Sequence, residues 1–165
     1  MPNADPSPAP LLIAYDGSEH AQAAVASAAR LFPGRAAVVV TAWRSVKDVV
    51  PASLVALPAS VAHEAQLKMD EAARNEAQGL ADAGAVLGRD GGLDARAQAI
   101  EAAGAIWPAI VRAAEEVGAE AVIVGSHGRS PMRSAILGSV SAGVVNHSER
   151  PVLVVRAAEP SQPDA

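Results

Sequence analysis

The apolar positions of this chain fall into two patterns, short unbroken runs and longer stretches at helical spacing. Leu11–Tyr15 is a run, and Asp16-Gly17-Ser18 after it supplies a turn and a helix N-cap. Ala21, Ala24, Val25, Ala28 and Phe32 then recur at helical spacing until Pro33-Gly34 stops the pattern. Ala36–Trp43 is a second run, rich in Val, whereas Arg44–Ser60 has two prolines and no period and reads as a loop that covers something. From Val61 to about Gly84 the spacing predicts a helix with Ala65, Met69, Ala72, Ala73 and Leu80 on its apolar side, and Gly88–Gly92 reads as a turn. Leu93–Ala99 alternates Leu and Ala with Asp, Arg and Gln, the pattern of an edge strand with one wet face. Ile106, Ile110, Ala113, Ala114 and Val117 mark a further helix, with Pro108 in its first turn, where proline is tolerated. Ala119–Val124 reads as a strand, Ser139–His147 as a helix and Val152–Val155, introduced by Pro151, as the last strand.

Strands and helices thus alternate along the chain, five of the first and four of the second. Several strands are apolar on both faces, which predicts an α/β fold with an open parallel sheet covered by helices on both sides. Such sheets bind ligands at the carboxyl ends of their strands, where the strand order reverses. The loops after the first strand (Asp16-Gly17-Ser18) and after the fourth (Gly125 onward) share that edge. Residues 1–10 carry four prolines and no periodicity and read as a disordered tail, as do residues 157–165, leaving one domain over 11–156.

Composition narrows the chemistry. Aromatic residues are 2% of the chain, the net charge is −5, and Lys47 and Lys68 are the two lysines. Neither a stacking platform nor a basic stripe is present, so a nucleic-acid partner is not expected. There is no cysteine, which excludes disulfides, thiolate metal sites and a cysteine nucleophile. No apolar run reaches the length of a membrane span and no signal pattern opens the chain, so no membrane contact and a cytoplasmic location are the expectations.

The most informative stretch lies near the C-terminus. Gly125-Ser126-His127-Gly128 follows the fourth strand, nine residues intervene, and Gly138-Ser139 opens the fourth helix. A helix N-terminus leaves backbone N–H groups without partners and carries partial positive charge, so it holds a phosphate without needing lysine. Gly125 and Gly128 suit positive φ and close approach of a ligand. Ser139 and Ser141 offer hydroxyls, and Arg129 and Arg133 supply the local positive charge.

Gly-x2-Gly-x9-Gly-Ser, here Gly125, Gly128, Gly138 and Ser139, is similar to the ATP-binding motif of the universal stress protein family. The resemblance extends through Gly-Ser-Val-Ser (138–141), Pro-Val-Leu-Val-Val (151–155) and Ala-Tyr-Asp-Gly-Ser (14–18), and Gly104 with Ile110 fits the family's spacing. It covers about residues 10–156. It implies a five-stranded parallel sheet in the order 3-2-1-4-5, of the adenine nucleotide alpha hydrolase-like type. It also implies that Gly125, Gly128, Arg129, Gly138, Ser139, Val140 and Ser141 hold triphosphate and ribose. Asp16 would sit near the ribose or a phosphate-bound Mg²⁺, and Ala42 would meet adenine through its backbone. The expected cofactor is ATP, and the expected partner a second copy paired through residues 152–154, besides an unidentified protein. The expected role is a nucleotide-dependent regulator in stress response. Two departures stand out: Pro131-Met132 replaces a small flexible pair, and alanine at 42 replaces a larger aliphatic residue.

Two rival activities follow from the same resemblance: cyclic AMP binding, and slow ATP hydrolysis or autophosphorylation. No residue stands out as a general base, so no catalytic residue is assigned. The chain lacks Gly-Lys-Ser/Thr of a P-loop and Gly-x-Gly-x-x-Gly of a dinucleotide fold, and its serines lack the flanks of a nucleophile elbow. His127 reads as a solvated loop residue, and His20, His63 and His147 as surface residues without metal spacing. Glu64, Asp70, Glu71 and Glu76 read as a solvated helix face, Trp43 and Trp107 as packing residues, and Met69 as core.

Overall fold

The computed structural model describes residues 8–48, 58–128 and 137–157. The strands are β1 (Leu11–Ala14), β2 (Ala36–Trp43), β3 (Asp94–Glu101), β4 (Ala121–Gly125) and β5 (Val152–Val155). The helices are α1 (Glu19–Leu31), α2 (Ala59–Asp90), α3 (Ile106–Glu116) and α4 (Ser139–His147). All strand pairs are parallel, in the order β3-β2-β1-β4-β5. Apart from residues 8–10 and 157, both expected tails lie outside the described residues. Among the described residues no helix is long and apolar enough to cross a membrane.

Strand periodicity divides the core into two layers. Leu11, Ile13, Tyr15, Val39 and Ile123 face α1 and α2, while Leu12, Val38, Val40, Val122 and Val124 face α3 and α4. Each fully buried Leu, Ile or Val contributes about 1.5–3 kcal/mol relative to exposure. The central strands carry the largest fully buried side chains, so the sheet supplies most of this term.

Beyond Val25, Ile110 and Val144 the helices supply small residues, and in α2 this overturns one sequence expectation. The helix predicted to end near Gly84 runs on to Asp90. Its buried positions are Ala77, Ala81, Gly84, Ala85 and Gly88 rather than the predicted stripe, and Met69 is 53% exposed rather than core. A Cβ on Gly84 would stand 2.8 Å from the Tyr15 ring and 2.9 Å from Val39, and one on Gly88 3.0 Å from Ala95. The helix approaches the sheet too closely for larger side chains, so glycines that read as terminators are contact residues. The turn is confined to Gly91-Gly92, where Gly92 has φ +96°.

Two smaller corrections concern the segment after β2. Part of the expected loop forms one 3₁₀ turn, Val46–Asp48, and residues 49–57 lie outside the described residues. Asp70 is not part of a solvated face. Its carboxylate accepts from Val46 N and from the buried Ser45 Oγ, each at 2.8 Å, pinning this turn to α2. The Val46 N–H, then Ser45, Gln66 and Lys47, hold the Asp70 carboxyl below its ordinary value, against the opposing effect of burial.

Candidate functional site

β1 and β4 are neighbours, yet β1 leads into α1 on one face and β4 leads toward α4 on the other. The crevice this opens at the carboxyl edge is the ligand position of open α/β sheets. Here it is a cavity of about 670 Å³. Ala14, Val40, Ala42, Ile106, Ile110 and Val124 give it an apolar wall; Asp16, Thr41, His127, Gly128, Gly138, Ser139 and Ser141 line it with polar groups and backbone.

The polar end is built by the first turn of α4. Gly138 is the N-cap, with φ −63° and ψ 160° and no side-chain cap. Its N–H donates to Ser126 O at 2.8 Å, and Ala142 N is the first amide to bond back into the helix, to Gly138 O at 2.9 Å. The amides of Ser139, Val140 and Ser141 therefore have no carbonyl beneath them. Ser141 Oγ shares its one hydrogen between Ser126 O at 2.8 Å and Gly138 O at 2.9 Å, so the hydroxyl of this buried residue locks the loop to the helix. The result is a cluster of first-turn N–H groups at the positive end of a helix, a geometry suited to an anion.

The motif glycines act differently from expectation. The described glycines with positive φ are Gly17, Gly34, Gly92, Gly104 and Gly118; Gly125, Gly128 and Gly138 are not among them. What matters is the missing Cβ. On Gly125 it would stand 2.7 Å from His20 C and 2.9 Å from His20 O, so this glycine lets α1 cross the end of β4. On Gly128 it would stand 2.8 Å from Asp16 Oδ2, so this glycine makes room for the carboxylate.

Asp16 Oδ1 accepts from Ser18 N at 3.0 Å, and Ser18 Oγ caps α1 by accepting from Ala21 N at 3.2 Å. One carboxylate oxygen thus sets the turn while the residue lines the cavity. Burial, and then the charge of Asp16, push the Tyr15 phenol above its ordinary value. The buried Thr41 Oγ1 donates to Tyr15 O at 2.8 Å and ties the end of β1 to β2. In a parallel strand, alternate residues bond to opposite neighbours. Val40 O accepts from Tyr15 N on the β1 side and Trp43 O from Ala102 N on the β3 side. Ala42 therefore turns its N–H and C=O toward the β1 side, beyond the last residue of β1.

The cavity thus brings together Asp16, Ala42, Gly125, Gly128, Gly138, Ser139, Val140 and Ser141. Arg129, Arg133 and Pro131-Met132 lie outside the described residues. Among the described residues no group of three His, Cys, Asp or Glu is placed to hold a metal ion. Asp16 offers a carboxylate, so a Mg²⁺ there would be held mostly by oxygens of a bound phosphate.

Two histidines are placed otherwise than the sequence suggested. His20 is half-buried rather than a free surface residue: its Nδ1 accepts from Ala157 N at 2.9 Å and lies 3.2 Å from Ser126 Oγ. His127 is not a solvated loop residue: it lines the cavity, its Nδ1 is 3.2 Å from Ser126 Oγ, and its Nε2 is buried. His147 is exposed and stacks on Trp107 with ring centroids 4.1 Å apart. Thr41, Ile106 and Leu137 also line the cavity. No motif announces them, and only their places at strand end, helix start and loop would have found them.

Residues 9–156 match the model of the universal stress protein family. The universal stress protein in QAH/OAS sulfhydrylase 3'region of Thermus aquaticus is 32% identical over 148 residues, which is 88% of this chain and 97% of that protein. Universal stress protein MJ0577 of Methanocaldococcus jannaschii is 45% identical over 47 residues, spanning 28% of this chain and 29% of that protein. The solved structure of MJ0577 superposes with a TM-score of 0.65 at 24% identity, covering 91% of this chain and 96% of that one. A universal stress protein solved in complex with cAMP gives a TM-score of 0.58 at 25% identity, covering 90% of this chain and 97% of that one. Fold and a family match over nearly the whole length agree: this chain belongs to the universal stress protein family.

Proposed function

We propose that the cavity binds an adenine nucleotide and that occupancy regulates the protein's contacts with a partner. The observation that carries this reading is the cluster of first-turn amides at Ser139, Val140 and Ser141, facing the cavity that also holds Asp16 and Ala42. The phosphates lie on these amides beside Gly125 and Gly128, and Arg129, which lies outside the described residues, is kept as a contact from the motif alone. The ribose, or a Mg²⁺ carried by the phosphates, lies at Asp16. Adenine lies against the apolar wall, reading the backbone of Ala42, where donor and acceptor face the β1 side in the order an adenine edge can use. ATP is the ligand the motif favours, and a relative solved with cAMP makes cyclic AMP its main competitor. The nucleotide freed by heating freshly purified protein tests the reading. An adenine nucleotide at close to one per chain is the expected result, and protein that releases none and gives no calorimetric heat with ATP or cyclic AMP contradicts it.

The regulatory part rests on Ser126. Its carbonyl accepts from Gly138 N and Ser141 Oγ, and its own N–H donates to Val155 O at 2.7 Å. The anion-holding turn and the end of β5 therefore share one residue. β5 is an edge strand with half-buried apolar residues, the surface through which two copies pair in this proposal. The protein acts in the cytoplasm in this reading. Hydrogen exchange with and without ATP tests the coupling: protection at Ser126 and across Val152–Val155 rises if it holds and is unchanged if it does not.

A further inference from the structure

Among the described residues of the glycine motif, His127 is the polar one without an assigned task. It lines the cavity, yet its Nε2 is enclosed and has no hydrogen-bond partner among the described residues. Enclosed polar atoms nearly always have one, so the exception calls for a cause. The other side of the ring is tied down. Ala157 N–H donates to His20 Nδ1 at 2.9 Å. An imidazole nitrogen has a single in-plane lone pair, so this bond makes His20 Nδ1 an acceptor that is already taken. Ser126 Oγ lies 3.2 Å from that atom and 3.2 Å from His127 Nδ1. Pointing its hydrogen at His127 Nδ1 is the arrangement that gives the hydroxyl an acceptor of its own. A neutral ring that accepts at Nδ1 carries its hydrogen at Nε2, an assignment made from the hydrogen-bond pattern. The unpartnered atom is thus a donor. The His127 Cα lies 3.5 Å from where a Gly138 Cβ would be, so the residue stands at the anion-holding end of the cavity.

We propose that His127 is a specificity-determining donor whose Nε2–H bonds a phosphate oxygen of the bound nucleotide, with Ser126, His20 and Ala157 as positioning groups that fix its tautomer. Among the described residues the Nε2 side has no partner that a phosphate oxygen would have to displace. The donor separates phosphorylated ligands from the bare nucleoside. This inference rests on the nucleotide-binding reading and adds to it a residue that reads the phosphate.

The test compares ATP and adenosine affinities by calorimetry in the parent protein, His127→Leu and His127→Gln. Loss of a hydrogen bond to a charged group lowers ATP affinity by about 10- to 100-fold in His127→Leu. Adenosine affinity stays within about twofold, and His127→Gln, which keeps an N–H donor, recovers part of the loss. Imidazole ¹⁵N spectra give a readout that needs no ligand: the parent shows His127 protonated at Nε2, and Ser126→Ala shifts it toward the other tautomer. Unchanged ATP affinity in His127→Leu, equal loss of ATP and adenosine, or a parent His127 protonated at Nδ1 each overturns the proposal. A parent that binds no adenine nucleotide fails the nucleotide reading and this one together, whereas a parent that binds with His127→Leu indifferent fails this one alone.

Discussion

Gly125→Ala separates a structural role from a binding role within one motif. The added Cβ would stand 2.7 Å from His20 C, 2.8 Å from His20 Cβ and 2.9 Å from His20 O. Carbon atoms in good contact are about 3.5–4.0 Å apart. All three contacts are to backbone or the first side-chain atom of α1, so no rotamer change relieves them. The helix must move off β4 by about 1 Å, which strains a close-packed layer. Overpacking of this kind costs about 1–3 kcal/mol. Gly125 is not at positive φ, so alanine regains about 0.4–1 kcal/mol by restricting the unfolded chain. With mid-range values the net loss is roughly 1–1.5 kcal/mol, or about 3–5 °C in Tm for a domain of this size. Thermal unfolding followed by circular dichroism, checked by urea unfolding with an unchanged m-value, measures it. A variant as stable as the parent, or more so, would refute the claim that this glycine exists to admit α1.

The other perturbations probe the remaining joints. Gly128→Ala meets the tip of a side chain, Asp16 Oδ2, rather than backbone. It is expected to weaken ATP binding by about five- to tenfold, the worth of roughly one hydrogen bond, with a smaller Tm change than Gly125→Ala; calorimetry and thermal unfolding check the two halves. Thr41→Val strands the Tyr15 carbonyl at the end of β1 and should cost about 1–3 kcal/mol in urea unfolding. Asp70→Asn weakens the anchor of the 3₁₀ turn. Because the Asp70 carboxyl is held below its ordinary value in the fold, its contribution is present above the unfolded value of about 4 and lost as pH falls through the folded one. The Tm gap between parent and variant should therefore be constant from neutral pH down to about pH 4 and shrink below it; a gap that widens on acidification contradicts the assignment.

Where the chain is punctuated sharply, the fold was legible. Trp43 and Arg44, Gly138 and Ser139, and Pro151 and Val152 mark a change from one kind of pattern to another, and β2, α4 and β5 have the predicted bounds. The Ser18 cap was equally plain, because a hydroxyl three residues before an amide is a local arrangement. The core face of α2 was not legible. Periodicity weights large apolar residues, but this helix lies so close to the sheet that its contacts are Ala and Gly, and Leu67 and Met69 are left outside. In the site, the glycine spacing and Asp16 came from one local motif each. The His20–Ser126–His127–Ala157 network did not, because it joins the start of α1, the end of β4 and the end of β5, which only the sheet order brings together. For the same reason the contact of Gly125 with α1, a helix more than 100 residues earlier in the chain, was not legible beside its place in the cavity lining.

In the proposed function the open amides at the start of α4 hold the charged end of an adenine nucleotide. Backbone amide spectra recorded during an ATP titration read those amides one by one. Ser139, Val140 and Ser141 are expected to show the largest saturable shifts, followed by Gly128 and Ala42. Binding that leaves these three amides unmoved, or no binding at all, would contradict the proposal.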